Sequence, residues 1–180
     1  MPHRTLTPDD LYEETRKDEL YFLATGGGVT FGGGEPLLRP DFIRAFRSIC
    51  GSAWKLNAET SLNVPGDNVR ELMSVIDHWF IDIKDMDPSI YLKYTGKGND
   101  GVISNLLLLA EAGLADCCTL RIPLIPGYNS EADRDRSIKK LEVIGFSIFE
   151  RFKYKTDING KRKGNMPDTE GDPQADSQSE

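Results

Sequence analysis

The chain has 180 residues, of which 38% are hydrophobic and 28% are charged, and its formal net charge is −7. This size and composition indicate one globular domain with a sizeable core, and the charge argues against a nucleic-acid binder, which needs a basic face. No apolar run reaches the roughly 18–20 residues of a membrane-spanning helix, and the N-terminus has no apolar signal-peptide core, so we expect a cytoplasmic protein.

The cysteines do not predict a disulfide framework or a metal site. Cys50, Cys117 and Cys118 are odd in number, and no Cys-x2-Cys spacing occurs. The histidines, His3 and His78, lie far apart in sequence. A self-contained zinc site is therefore not expected, and the three thiols are interpreted as small buried or half-buried residues in a reducing compartment.

The first elements are a helix, a glycine-rich strand and a second helix. Thr7 and Pro8 are typical of a helix start, and we expect this helix to run to about residue 20. Residues 26–36 read GGGVTFGGGEP, in which a short β-prone run lies between two glycine triplets. A second helix begins at Pro40, carries one apolar face at the 3.6-residue period, and ends at Gly51.

The second half of the chain continues the alternation. Strands are predicted near residues 54–59, 79–83, 119–123 and 147–153. A third helix is predicted with Asp67 as its N-cap, and a fourth over residues 102–112 with Asp100 as its N-cap. Ser130 and Asp133 form a capping-box pattern, which predicts a helix running to residue 144.

This order of elements predicts an α/β fold with about five parallel strands. Strands alternating with helices build a parallel sheet with right-handed crossovers, either as an open doubly wound sheet or as part of an α/β barrel. In both architectures the functional groups collect at the C-terminal ends of the strands. We assign residues 1–163 to this domain and expect the acidic residues 164–180 to form a disordered tail.

Polar and glycine residues follow the predicted strands, and their types suit a small zwitterion that carries a sugar. Glycine backbone can hold its charged groups, carboxylates can bind ribose hydroxyls, and lysine or arginine can bind a carboxylate. The candidate binding residues are Gly32, Gly33, Gly34, Glu35, Glu59, Ser61, Asp82, Lys84 and Arg121. An ordinary structural role remains open for each of them: Asp82 and Lys84 could form an ion pair with each other, Arg121 could form a salt bridge at the edge of the core, and the glycines could serve only to turn the chain.

A dinucleotide-binding loop is a poorer interpretation of the glycines. The third glycine of that motif would fall at Phe31, and the second triplet runs into Glu35 and Pro36 instead of a helix N-terminus. A pyrophosphate there would meet a carboxylate without a helix dipole.

Three segments, GGGVTFGGGEPLL, DIKDMDP and LRIPLIPGYN, resemble the activating enzymes of glycyl-radical enzymes. This is the pyruvate formate-lyase activating enzyme family of the radical S-adenosylmethionine (SAM) superfamily. The resemblance covers residues 11–154 and implies a partial (β/α) barrel that is α/β in class. It also implies that Gly33, Gly34 and Glu35 bind the amino group of the SAM methionine, with Gly32 where the family often has serine.

The resemblance implies roles for the remaining candidates. Glu59 and Ser61 match polar residues near the SAM ribose. Lys84 and Arg121 match basic residues near the SAM carboxylate, and Asp82 matches their acidic partner. The chemistry belongs to the cofactor, so no side chain of this chain is expected to act as acid, base or nucleophile. The protein substrate would be a glycyl-radical enzyme such as pyruvate formate-lyase, served by an electron donor.

The sequence departs from the family pattern in one important respect. In the family, a Cys-x3-Cys-x2-Cys motif binds a [4Fe–4S] cluster and follows the first barrel strand. The chain contains neither, and its three cysteines have the wrong spacing to replace the motif. We therefore expect the core fragment of an activating enzyme, inactive alone, whose first strand is absent. An open sheet edge would then allow dimerisation.

Two other functions stay open. The first is a degenerate, non-catalytic relative that binds a partner protein. The second is an unrelated α/β-barrel lyase in which Lys84 forms a Schiff base. That chemistry needs a lysine with a lowered pKa, whereas Asp82 and Asp85 flank Lys84 and are expected to keep it charged.

Overall fold

The computed structural model describes residues 5–156 and 162–167. Its α-helices are α1 (Pro8–Thr15), α2 (Glu19–Thr25), α3 (Pro40–Cys50), α4 (Gly66–Leu72), α5 (Pro88–Thr95), α6 (Asp100–Glu111) and α7 (Glu131–Ile144). Its strands are β1 (Gly28–Phe31), β2 (Lys55–Thr60), β3 (His78–Asp82), β4 (Cys118–Leu124), β5 (Phe149–Thr156) and β6 (Arg162–Pro167). None of the helices in these two ranges has the length and hydropathy needed to span a bilayer.

The six strands form one sheet in the order β1-β2-β3-β4-β5-β6. The first five are parallel, and β6 is antiparallel to β5. Right-handed crossovers that always step in the same direction leave the connecting helices on one face of the sheet. This sequential order is that of a barrel segment and not of a doubly wound sheet, which confirms the predicted partial α/β barrel.

The core lies between the sheet and its helices. Along β2, the side chains of Leu56, Ala58 and Thr60 are buried and alternate with more exposed neighbours. The same alternation on β3 buries Trp79 and Ile81. Because side chains on a strand alternate between faces, the intervening polar residues lie together on the inner face of the sheet.

Helix capping was predicted correctly at two helices and wrongly at two. Thr7 caps α1 as predicted, and the predicted capping box of Ser130 and Asp133 forms at α7. The N-caps of α4 and α6 are Pro65 and Asn99, and neither helix has a side-chain cap. Asp67 and Asp100 therefore lie within the first turns of these helices, where their charges favour the positive helix end.

Two further predictions need correction. The first helix does not end near residue 20, because a 3-10 turn at Arg16–Asp18 links α1 to α2, which continues to Thr25. Helix α5 was missed, although Asp87 caps it by accepting hydrogen bonds from two backbone N–H groups.

The C-terminal boundary also differs from the prediction. Strand β6 extends to Pro167, so the boundary predicted at residue 163 falls inside a strand. Residues 168–180 of the predicted acidic tail lie outside the described residues.

Candidate cofactor-binding site

Neighbouring strands bring the predicted charged residues together at the C-terminal edge of the sheet. Asp82 on β3 pairs in register with Arg121 on β4. Glu59 lies near the end of β2, and its side chain shares the inner face with both. Parallel strands end at the same edge, so residues that are far apart in sequence meet there.

These side chains form a continuous chain of alternating charge. Arg121 Nη2 lies 3.2 Å from Glu59 Oε1, and Arg121 Nε lies 3.1 Å from Asp82 Oδ1. Lys84 Nζ lies 3.2 Å from Asp82 Oδ2. Lys84 Nζ also donates a hydrogen bond to the Tyr154 hydroxyl at 2.9 Å. We call Glu59, Arg121, Asp82, Lys84 and Tyr154 the charged cluster.

The charged cluster keeps polar capacity for a ligand. Arg121 Nε and Asp82 Oδ1 are buried and close, but their contact lacks hydrogen-bond geometry. The Glu59 side chain is 47% exposed, whereas that of Arg121 is only 13% exposed. The Arg121 guanidinium lies over the Phe80 ring, 5.5 Å from its centroid, which fixes its plane on the inner face. A largely buried arginine next to a half-exposed carboxylate can receive a small zwitterion.

Lys84 remains protonated in this setting. Burial alone lowers the pKa of Lys84, but the contacts with Asp82 and Tyr154 outweigh it and raise that pKa above its ordinary value. The expectation that Asp85 also flanks the ammonium group is wrong. Asp85 is buried and accepts hydrogen bonds from Asp87 N and Ser137 Oγ instead.

The second glycine triplet borders the charged cluster with open backbone. Gly33 has φ of +96°, a conformation that side-chain-bearing residues rarely adopt. A Cβ atom added at Gly33 or Gly34 would meet no atom within 4 Å, so space is open beside both. A Cβ at Gly32 would lie 3.3 Å from Glu59 Oε2, which places this glycine against the cluster. A ligand can therefore approach the loop backbone closely.

Glu35 and Ser61 bind each other. The Glu35 carboxylate accepts hydrogen bonds from Thr60 Oγ1 at 2.7 Å, Ser61 N at 3.0 Å and Ser61 Oγ at 2.7 Å. It also accepts one from Leu37 N at 3.3 Å. These side chains therefore join the loop after β1 to the loop after β2, and the Ser61 hydroxyl faces Glu35.

Sequence reasoning left Tyr154 outside the site residues. It lies on β5, and its ring packs edge-on against Phe152 at 5.3 Å between centroids. Its position near the end of a predicted strand was the available indication. The strand was predicted to end at residue 153, whereas β5 continues to Thr156 and so includes Tyr154. The hydrophobic pattern did not show this extension, on which the contact of the Tyr154 hydroxyl with Lys84 depends.

The cysteines of the chain do not fit an iron–sulfur cluster. Cys118 is buried, and burial raises the pKa of its thiol to about 12, far from the thiolate that a metal needs. Burial likewise raises the pKa of Cys50 at the end of α3. Within residues 5–156 and 162–167, no group of three or more His, Cys, Asp or Glu side chains could hold a metal ion.

The fold and the site together define a class: a partial α/β barrel with a polar ligand site where its parallel strands end. The comparisons with known proteins identify the family within that class. Residues 1–140 match the sequence model of the Radical SAM superfamily. The chain therefore belongs to the radical SAM superfamily, whose enzymes use SAM and a [4Fe–4S] cluster.

The similar curated proteins are activating enzymes. The chain is 38% identical over 129 residues to the (2S)-3-sulfopropanediol dehydratase activating enzyme of Klebsiella oxytoca, covering 71% of this chain and 40% of that protein. It is 35% identical to the indoleacetate decarboxylase activating enzyme of Tractidigestivibacter scatoligenes, covering 74% of this chain and 41% of that protein. The chain thus spans about two fifths of the length of these relatives.

Solved structures support the fold. Streptococcus suis SuiB bound to S-adenosylmethionine is similar with a TM-score of 0.68 at 16% identity, over 91% of this chain and 38% of that one. Coproporphyrinogen III oxidase (HemN) from Escherichia coli has a TM-score of 0.57 at 12% identity, over 84% of this chain and 38% of that one.

Proposed function

We propose that this chain is the core domain of an activating enzyme that uses SAM to generate a glycyl radical on a partner enzyme. The observation that carries the proposal is the charged cluster beside the open glycine loop. The similarity to activating enzymes over about 70% of the chain supports the reaction class.

The residues present fit SAM, whose methionine part is a zwitterion and whose ribose offers hydroxyl groups. The backbone of Gly33 and Gly34 would hold the amino group, and Arg121 and Lys84 would hold the carboxylate. Glu59, the most exposed carboxylate of the cluster, would accept the ribose hydroxyls.

Asp82 has a different role. It contacts both Arg121 and Lys84, so it would orient these two cations toward the ligand carboxylate. Glu35 and Ser61 would shape the site by holding the two loops together. Bound SAM supplies the radical chemistry on one-electron reduction, and the protein binds and orients it. Among the described residues, no group of three or more His, Cys, Asp or Glu side chains could hold the cluster that would deliver the electron.

The proposed partners are a glycyl-radical enzyme, as the substrate, and an electron donor. The relatives are named for activating dehydratases and decarboxylases, which supports a partner of this kind. The cysteines within the described residues are free, which supports a cytoplasmic, reducing location.

A Schiff-base lyase is less favoured. Such a lysine needs a lowered pKa, and the contacts of Lys84 raise its pKa. Borohydride trapping with simple aldehydes should therefore leave Lys84 unmodified. A non-catalytic, partner-binding relative would instead retain a glycyl-radical enzyme in a pull-down without any SAM chemistry.

The coding DNA on the 5′ side of the Met1 codon tests the proposed activity. The proposal predicts in-frame codons for Cys-x3-Cys-x2-Cys, and their full product should form methionine and 5′-deoxyadenosine anaerobically from SAM and a reductant. A stop codon or an unrelated sequence would contradict an activating enzyme and favour the partner-binding relative.

A further inference from the structure

A buried carboxylate lies directly behind the charged cluster. Asp85 follows Lys84 by one residue, but its side chain is on the helix side and only 3% of the residue is exposed. A carboxylate is rarely buried to this extent unless hydrogen bonds or charges compensate its lost hydration. Its contacts therefore indicate what it does for the loop that carries Lys84.

Asp85 joins three separate segments. Its Oδ1 accepts hydrogen bonds from Asp87 N at 2.8 Å and from Ser137 Oγ of α7 at 3.1 Å. Its Oδ2 accepts one from Asn129 Nδ2 at 3.3 Å. Ser137 Oγ in turn accepts a hydrogen bond from Met86 N at 3.0 Å, so Ser137 alone binds the loop after β3 to α7 twice.

Asn129 carries the connection to β4. Its Oδ1 accepts a hydrogen bond from Ile125 N at 2.6 Å, and its Nδ2 donates to Pro123 O at 3.1 Å. Pro123 lies two residues after Arg121 on the same strand. The Asn129 amide therefore spans the turn after β4 and reaches Asp85 across the strand ends.

We propose that Asp85 and Asn129 form a clamp that positions Lys84 and Arg121 relative to each other at the C-terminal edge of the sheet. Both are positioning residues, since each acts through the backbone of a neighbouring strand end. The consequence for ligand binding rests on the proposed SAM site, where these two cations must meet one carboxylate.

Competitive acetylation at pH 8, read by mass spectrometry, tests the clamp through the accessibility of the Lys84 amine. The reference amine is exposed Lys97 in the same chain. In Asn129→Ala, which changes no charge, we expect the Lys84-to-Lys97 labelling ratio to rise about fivefold, the factor expected for one lost hydrogen bond. Asp85→Asn should give a similar rise. This change replaces one accepting oxygen with an NH2 group, which would then face one of the donors that Asp85 now binds.

A matched control lies at the opposite edge of the sheet. Asp77 also joins strand ends, accepting a hydrogen bond from Leu56 N at 2.8 Å. Asp77→Asn should leave the Lys84 ratio unchanged although it also destabilises the protein. If Asn129→Ala does not fold, Ser137→Ala, which removes one donor to Asp85, replaces it.

SAM titration of the same variants separates this inference from the proposed function. A rise in labelling with an SAM dissociation constant about fivefold higher supports both. A rise in labelling with no SAM binding, even by the unmodified chain, supports the clamp and contradicts the SAM site. Unchanged labelling in a folded Asn129→Ala overturns the clamp, whatever the titration gives.

Discussion

Leu62 shows backbone strain next to the candidate site. Among the described residues it is the one non-glycine residue with positive φ, at 58°, and it is fully buried. Its N–H donates to Thr60 Oγ1 at 2.8 Å, and its C=O accepts from Asn105 Nδ2 at 3.0 Å. A bulky residue rarely adopts this conformation, so the surrounding contacts impose it on the loop after β2.

Because of this strain, we expect the usual order of stability between a glycine and an alanine variant to be reversed at this position. Leu62→Gly and Leu62→Ala both lose the buried side chain, but only glycine relieves the positive φ. We expect the glycine variant to be more stable than the alanine variant by about 1 kcal/mol in urea unfolding. An alanine variant that is equally or more stable would show that the loop relaxes to negative φ.

His78 makes stability depend on pH near neutrality. Its Nε2 lies 2.8 Å from Thr119 Oγ1, and burial lowers its pKa below the ordinary value of 6.5. The unfolded chain therefore takes up a proton at a higher pH than the folded chain does. The free energy of unfolding should fall as the pH drops below 6.5, by at most about 1.4 kcal/mol per pH unit.

Urea unfolding at pH 7, 6 and 5 measures this slope, and His78→Gln should remove most of it. A slope that persists in His78→Gln would assign it to other groups.

At the scale of elements, Gly28 fixes how closely β1 approaches β2. A Cβ added to Gly28 would lie 1.9 Å from Lys55 O, a backbone atom that cannot move aside alone. We therefore expect Gly28→Ala to destabilise the protein by roughly 2 kcal/mol or more in thermal unfolding. Gly34→Ala is the control, because its Cβ meets open space and should change stability by less than about 0.5 kcal/mol. Equal stability of the two variants would contradict this account.

The elements that were predicted best from the sequence are those that depend on interactions between residues close together in the chain. The Ser130 and Thr7 capping boxes need only residues three apart, and both form. Helix α5 was missed because it is short and its apolar residues, from Ile90 to Tyr94, show no single face. Its start depends on Asp87 accepting two backbone hydrogen bonds, whereas the sequence there reads equally well as a turn.

At the scale of the whole molecule, topology made much of the candidate site predictable. Asp82 and Arg121 could be placed together because parallel strands share one edge and alternate their faces. The pairing of Glu35 with Ser61 could not be predicted, since loop conformation decides where a carboxylate points. The burial of Asp85 could not be predicted for a related reason. The adjacent Lys84 lies on the other face of the sheet, and the hydrogen-bond partner of Asp85 comes from the distant helix α7.

The outer edge of β1 predicts self-association. It is the first strand of the sheet order and has no partner on its outer side among the described residues. The preceding helix α2 exposes Leu20, Tyr21 and Leu23, with Leu20 84% exposed. An open edge beside apolar side chains favours dimerisation, which sedimentation velocity should show as a concentration-dependent species. Leu20→Lys should weaken the dimer, whereas Leu92→Lys, which changes an exposed leucine on α5, should not. A monomer at all concentrations would contradict this.

The most direct test of the central claim is an NMR titration of the chain with SAM to millimolar concentration, mapped on backbone amides. We expect saturable shifts at Gly33, Gly34 and Glu59 and around Lys84 and Arg121. In a folded Arg121→Gln variant, which keeps the strand but loses the cation, these shifts should largely disappear. Shifts scattered over the surface, or identical shifts in the two proteins, would contradict a SAM site at the C-terminal edge of the sheet.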